Sequence, residues 1–180
     1  MRKIFFCACA CALFMGCGNE QPAAETETAV VASAAPQPAE IADQKYAEIG
    51  KGNLAAMSAG DVDTWMNSFA DNARYFWNGG DSLVGKEAIT AYWKKRRGEV
   101  IDSIRFDEQI WLPVKVNQPQ QAIQAPGVWL LGWYRTTAKY KTGKTMIQWM
   151  HVDYHFDASD KVDQVVHYVD RAPINAALGK

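Results

Sequence analysis

The hydrophobic pattern changes period near residue 100, and that change limits the folds open to the chain. Before it, apolar residues recur at three- and four-residue steps. Tyr46, Ile49, Asn53, Leu54 and Met57 form one stripe, as an amphipathic helix requires. Gly60 breaks the stripe, and Asp61 is placed to cap a second helix by accepting a free backbone N–H. Val62, Trp65, Met66 and Phe69 make that helix's apolar face. Residues 73–77 read as a strand, 78–81 as a turn, and 86–100 as a third helix with Ile89, Tyr92 and Trp93 inward. Four long segments then follow, at 104–116, 128–140, 145–156 and 162–169. They are rich in aromatic and β-branched residues and separated by turn-forming sequence, the pattern of an antiparallel meander. The predicted class is α+β: three N-terminal helices packed on one face of a strongly curved antiparallel sheet.

The four cysteines, Cys7, Cys9, Cys11 and Cys17, all lie near the start of the chain. Met1-Arg2-Lys3, an apolar run from Ile4 to Met15, and Gly16-Cys17 have the layout of a secretory signal peptide. The run is shorter than the roughly 20 residues a membrane-spanning helix needs. Its end resembles the lipobox of bacterial lipoproteins, although Phe14 stands where that family usually has leucine. The resemblance implies a signal peptide at 1–16, lipidation of Cys17, and a membrane-anchored protein of the cell envelope on its periplasmic or surface face. An ordinary cleaved signal with Cys17 merely nearby is the alternative. A disulfide set or metal site is disfavoured, since no cysteine lies elsewhere to partner these four. Residues 17–40, rich in Ala, Pro, Glu, Thr and Gln and without aromatics, read as a disordered tether.

Residues 41–180 then suit one domain. All seven tryptophans fall in it, and the formal net charge of −1 gives no bulk attraction to nucleic acid. The run Lys94-Lys95-Arg96-Arg97 reads as a solvated helix end favoured by the helix dipole, with contact to anionic lipid headgroups as the alternative.

Several short stretches together resemble the NTF2-like superfamily and, within it, the SnoaL-like group. They are Gly60-Asp61-Val62-Asp63-Thr64-Trp65, Phe69-Ala70-Asp71-Asn72-Ala73, Gly85-Lys86-Glu87-Ala88-Ile89, and the closing Asp160-Lys161-Val162 with Tyr168-Val169-Asp170. The resemblance implies a cone: a curved sheet around a long helix, with an apolar pocket at its wide end. It also implies isomerases, dehydratases, cyclases, epoxide hydrolases or pure binding domains as functional relatives, and dimers through the outer sheet face.

The densest polar cluster is His151-Val152-Asp153-Tyr154-His155. In a strand, His151, Asp153 and His155 share one face with Trp149, and Met150, Val152, Tyr154 and Phe156 share the other. The triplet offers acid/base chemistry, polar ligand contact, or simply the outward face of a half-buried strand. A shared metal is disfavoured, because same-face neighbours sit about 6.5 Å apart. Alternation alone does not tell which face looks inward. By resemblance to the epoxide hydrolases and cyclases, Asp170 is a second catalytic candidate; salt bridging or capping of the C-terminal segment is its plain alternative. The Arg-x-Asp pair those hydrolases need is missing from 128–140, and Val152 stands where the isomerases carry a second-strand carboxylate. The expected ligand-lining aromatics are Trp65, Phe69, Tyr75, Trp77, Trp129, Trp133, Tyr154 and Tyr168, around a small, largely apolar ligand. No cofactor or metal is expected. A lyase, isomerase or cyclase using Asp170 with a histidine, and a dimeric scaffold, are the competing readings.

Overall fold

The computed structural model describes residues 37–120 and 125–180. The expected signal peptide, Cys17 and all but the last few residues of the expected tether lie outside the described residues. β1 (Ala39–Ile41) takes in Ala39 and Glu40, from the end of that tether, because they pair with Val116 and Lys115.

α1 (Lys45–Ala59) buries the expected stripe, with Tyr46, Asn53, Leu54 and Met57 inward. Gly60 ends it in a left-handed conformation (φ +81°), and the Asp61 N–H reaches back to the Ala56 carbonyl at 2.9 Å. Asp61 then caps α2 (Val62–Met66), accepting from the Thr64 N–H at 2.9 Å. β2 (Phe69–Trp77) begins earlier than the sequence suggested and turns through 78–81 into β3 (Ser82–Val84). α3 (Lys86–Lys95) closes in a five-residue π-turn, Arg96–Val100. β4 (Ile101–Val116), β5 (Gly127–Tyr140), β6 (Thr145–Phe156) and β7 (Val162–Tyr168) form the meander, and α4 (Arg171–Leu178) follows.

The sheet order is β1-β4-β5-β6-β7-β2-β3. The sheet is mixed rather than wholly antiparallel. β2 arrives from the helical half and lies parallel to the free edge of β7, pairing Tyr75 with Val165 and Trp77 with His167. α4 was not expected as an element of its own.

β4 pairs with two register shifts, one after Ile101 and one after Asp107, and the second decides which side chains of its later half face inward. Asp107 pairs with Arg135 and Ile110 with Trp133, so Glu108 and Gln109 together oppose Tyr134 alone. Glu108 sits at φ +53°. This β-bulge bends the strand and reverses its alternation. Ile104 and Phe106 face the concave side before it, and Trp111 and Pro113 do so after it. Trp111 lies flat between two glycines. A Cβ added to Gly132 would overlap its ring, and one added to Gly50 on α1 would sit 2.8 Å from its Cζ3. Both glycines are therefore needed for α1 to approach the sheet across this ring.

Gly132→Ala should accordingly destabilise the protein by about 2 kcal/mol in urea unfolding, the usual cost of overpacking. Gly52→Ala, at an α1 position with nothing within 4 Å, should instead stabilise it by about 0.5–1 kcal/mol, through helix propensity.

Candidate functional site

The apolar face of β6 looks into the cone. Met146, Met150 and Tyr154 line a cavity of about 240 Å³ with Tyr134 and Ala138 of β5, Trp65 of α2, Tyr75 and Trp77 of β2, and Trp93 of α3. α4 closes one side with Ile174 and Leu178. It is held there by the Thr142 hydroxyl donating to the Ala177 carbonyl at 2.7 Å and by the Arg171–Asp81 ion pair. The aromatic rings meet edge-on or tilted: Trp65 and Trp93 at 5.6 Å, Tyr75 and Trp77 at 4.6 Å. Such pairs add about 0.5–1.5 kcal/mol each beyond burial and fix the wall.

A buried polar group stands within this aromatic wall, apart from the charged Asp81, Arg96, Arg171 and Lys180 that also border the cavity. His167 on β7 is buried, with Nδ1 2.7 Å from the Tyr75 hydroxyl and Nε2 3.3 Å from the Tyr134 hydroxyl. Burial, helped by His151, pushes its pKa down to about 3, so the ring is neutral. A neutral imidazole has one N–H and one bare nitrogen. One tyrosine therefore donates to the ring and the other accepts from it. The short contact at Nδ1 fits donation by Tyr75; the longer one fits Nε2–H donating to Tyr134. The Tyr134 proton is then free to bond an oxygen placed in the cavity. Burial raises the Tyr75, Tyr134 and Tyr154 hydroxyls well above the usual phenol range, so all three stay protonated.

The four residues singled out for catalysis lie elsewhere. His151, Asp153 and His155 occupy the convex face, because Met150, Val152 and Tyr154 take the buried one. His151 is stacked between Trp133 (4.5 Å) and Tyr168 (5.2 Å). Its Nδ1 lies 2.9 Å from the Gly132 carbonyl and its Nε2 2.9 Å from an Asp153 oxygen. Burial opposes its protonation, but Asp153 and that carbonyl outweigh burial, and its pKa is raised. His155 bonds Asp163 and the Pro126 carbonyl and packs on Trp129, 5.0 Å away. Asp170 is exposed and caps α4, accepting from the Ala172 N–H at 2.9 Å. His151 and Asp170 both border an open depression on the convex side, with Trp133, Trp149 and Tyr168, but neither lines the cone.

The aromatics divide in the same way. Trp65, Tyr75, Trp77 and Tyr154 line the cavity, and Phe69 packs behind Trp65 at 5.0 Å. Trp129, Trp133 and Tyr168 belong to the convex face. With Ile110, Leu112, Ile147 and Trp149, all substantially exposed, they make that face strongly apolar. His167 was missed because it has no polar neighbour on its own face. Its signal was alternation: it falls between Val165 and Val169, on the face opposite Tyr168.

A model of the SnoaL-like domain matches residues 53–162. The chain belongs to the SnoaL-like family. No curated protein matches its sequence. Solved structures resemble this SnoaL-like chain in fold, at identities that carry fold alone. A protein proposed to be a polyketide cyclase, from Xanthomonas campestris pv. campestris, has a TM-score of 0.60 and 14% identity over 75% of this chain and 97% of its own. One proposed to be an isomerase, from Bacillus subtilis, has a TM-score of 0.58 and 16% identity over 76% and 94%. An NTF2-like protein from Burkholderia pseudomallei has a TM-score of 0.58 and 12% identity over 74% and 97%. The curved sheet and inner cavity are thus those of the NTF2-like cone. His167 and α4 lie beyond the matched residues.

The depressed pKa of His167 has a thermodynamic consequence. The unfolded chain protonates this histidine near the ordinary imidazole value of 6.5 and the folded one only near 3. Between those values the unfolded state binds more protons, so stability falls as pH is lowered through this window. Urea titrations from pH 7 to 3 should show a shallower acid loss in His167→Gln than in the unsubstituted protein.

Proposed function

We propose that this SnoaL-like protein is a lipid-anchored envelope protein that binds a small, largely apolar molecule inside its cone. The observation that carries the binding reading is the aromatic-walled cavity with one neutral Tyr75–His167–Tyr134 group at its wall. An apolar pocket with a few fixed polar groups is the usual form of a small-molecule site. The volume suits a ligand of roughly one substituted ring, since an apolar cavity of about 150 Å³ takes benzene.

The same observation favours binding over acid/base catalysis. An effective general base has a pKa near the working pH, whereas His167 is held far below it. Asp81, the one acidic side chain at the cavity among the described residues, is already paired with Arg171. An isomerase or cyclase remains the second reading, favoured by the free Tyr134 proton, which could stabilise a developing oxyanion. Turnover of a carbonyl substrate that is lost in Tyr134→Phe would replace the binding reading with this one.

A thermal-shift screen of small ring compounds tests the proposal. Binders should raise Tm in the unsubstituted protein and leave Ile104→Trp, whose new ring would occupy the cavity, unshifted. No binder among apolar compounds of this size would defeat the reading. The anchor rests on the sequence at Cys17, and Cys17→Ser should move the protein out of the membrane fraction of cells; retention there would refute lipidation.

A further inference from the structure

The four basic residues of Lys94-Lys95-Arg96-Arg97 do not form one surface patch. Lys94 pairs with Asp63 at 2.7 Å, and Lys95 points to solvent. Arg97 turns towards the end of α1, donating to the Ser58 and Ile101 carbonyls at 3.4 Å each. Arg96 alone lines the cavity. It opens the π-turn that ends α3, a local widening often found where a helix serves a site.

Arg96 is half-buried, and no carboxylate lies within 4.0 Å of it among the described residues. Its guanidinium acts on the Tyr140 hydroxyl in the wall and on Tyr75 beside His167. The charge and the Tyr–His–Tyr group therefore serve the same cavity. Among the charged side chains of the described residues at that cavity, Asp81 and Arg171 neutralise each other, and the Arg96 guanidinium is left without a carboxylate beside it. A guanidinium facing the cavity with no carboxylate beside it offers an incoming anion a charged partner. Arginine suits a carboxylate, because its planar fork can donate two parallel N–H bonds.

We propose that the ligand is a single-ring aromatic carboxylate, its carboxylate on Arg96 and its ring among Trp65, Tyr75, Trp77 and Trp93. This rests on the binding reading above and adds to it a charge and an orientation. Tyr134 then donates its free proton to an oxygen at the far end of the ligand.

The test uses 3-(4-hydroxyphenyl)propanoate and its uncharged amide as probes, with affinities from calorimetry on the full chain in detergent. The acid should bind the unsubstituted protein at least about tenfold more tightly than the amide, the scale of one charge-assisted contact. Arg96→Met should abolish that preference while still binding the amide, which also shows that the variant is folded. Lys95→Met removes the same charge from the same helix end and should keep the preference. Equal binding of acid and amide to the unsubstituted protein would overturn the anionic subsite and leave cone binding standing; so would a preference that survives in Arg96→Met. Failure of both probes to bind would overturn this proposal, whereas binding undiminished in Ile104→Trp would overturn the cone reading with it.

Discussion

The two-residue alternation of β6 is the constraint on which the site depends. Met146, Met150, Val152 and Tyr154 are buried on the concave side, so Trp149, His151 and Asp153 must stand on the convex side. The choice is energetic. Burying a large apolar side chain is worth about 1.5–3 kcal/mol, whereas burying the two histidines and an aspartate in their place would need partners for every polar atom. The pairing of β6 with β5 then fixes Tyr134 and Ala138 inside and Trp129 and Trp133 outside, since directly paired residues share a face.

The cone depends next on how β4 bends. The bulge at Glu108 and Gln109 lets one strand present Ile104 and Phe106 to the cavity and Trp111 to α1. Without the extra residue the alternation would turn Trp111 to the convex face. Gly132 leaves room for that ring, and Gly50 brings the helix down on it. Sequence, local backbone and packing agree at this point.

Much of the fold was legible. The stripe Tyr46–Met57, the Gly60-Asp61 break and the four long strands carry strong local signals, and each element formed close to where it was expected. The parallel pairing of β2 with β7 and the bulge in β4 are long-range features that local pattern does not carry. The site was less legible. The sequence marked out His151, Asp153 and His155 because they crowd together, but crowding on one face says nothing about which face is inside. His167 sat unmarked between valines, yet it is the histidine within the cavity. Arg96 looked like one of four equivalent basic residues. Helical geometry sends each in its own direction, and only the folded chain separates them.

The account makes His167 the buried neutral histidine of the cavity and His151 the protonation-prone one outside it. The chain has three histidines, so their ring resonances can be followed individually by NMR as pH is changed. His167 should show no titration down to about pH 4, His151 should titrate above the ordinary histidine range, and a cone ligand should perturb His167 most. A His167 that titrates near 6.5, or a ligand that moves His151 and leaves His167 unchanged, would contradict it.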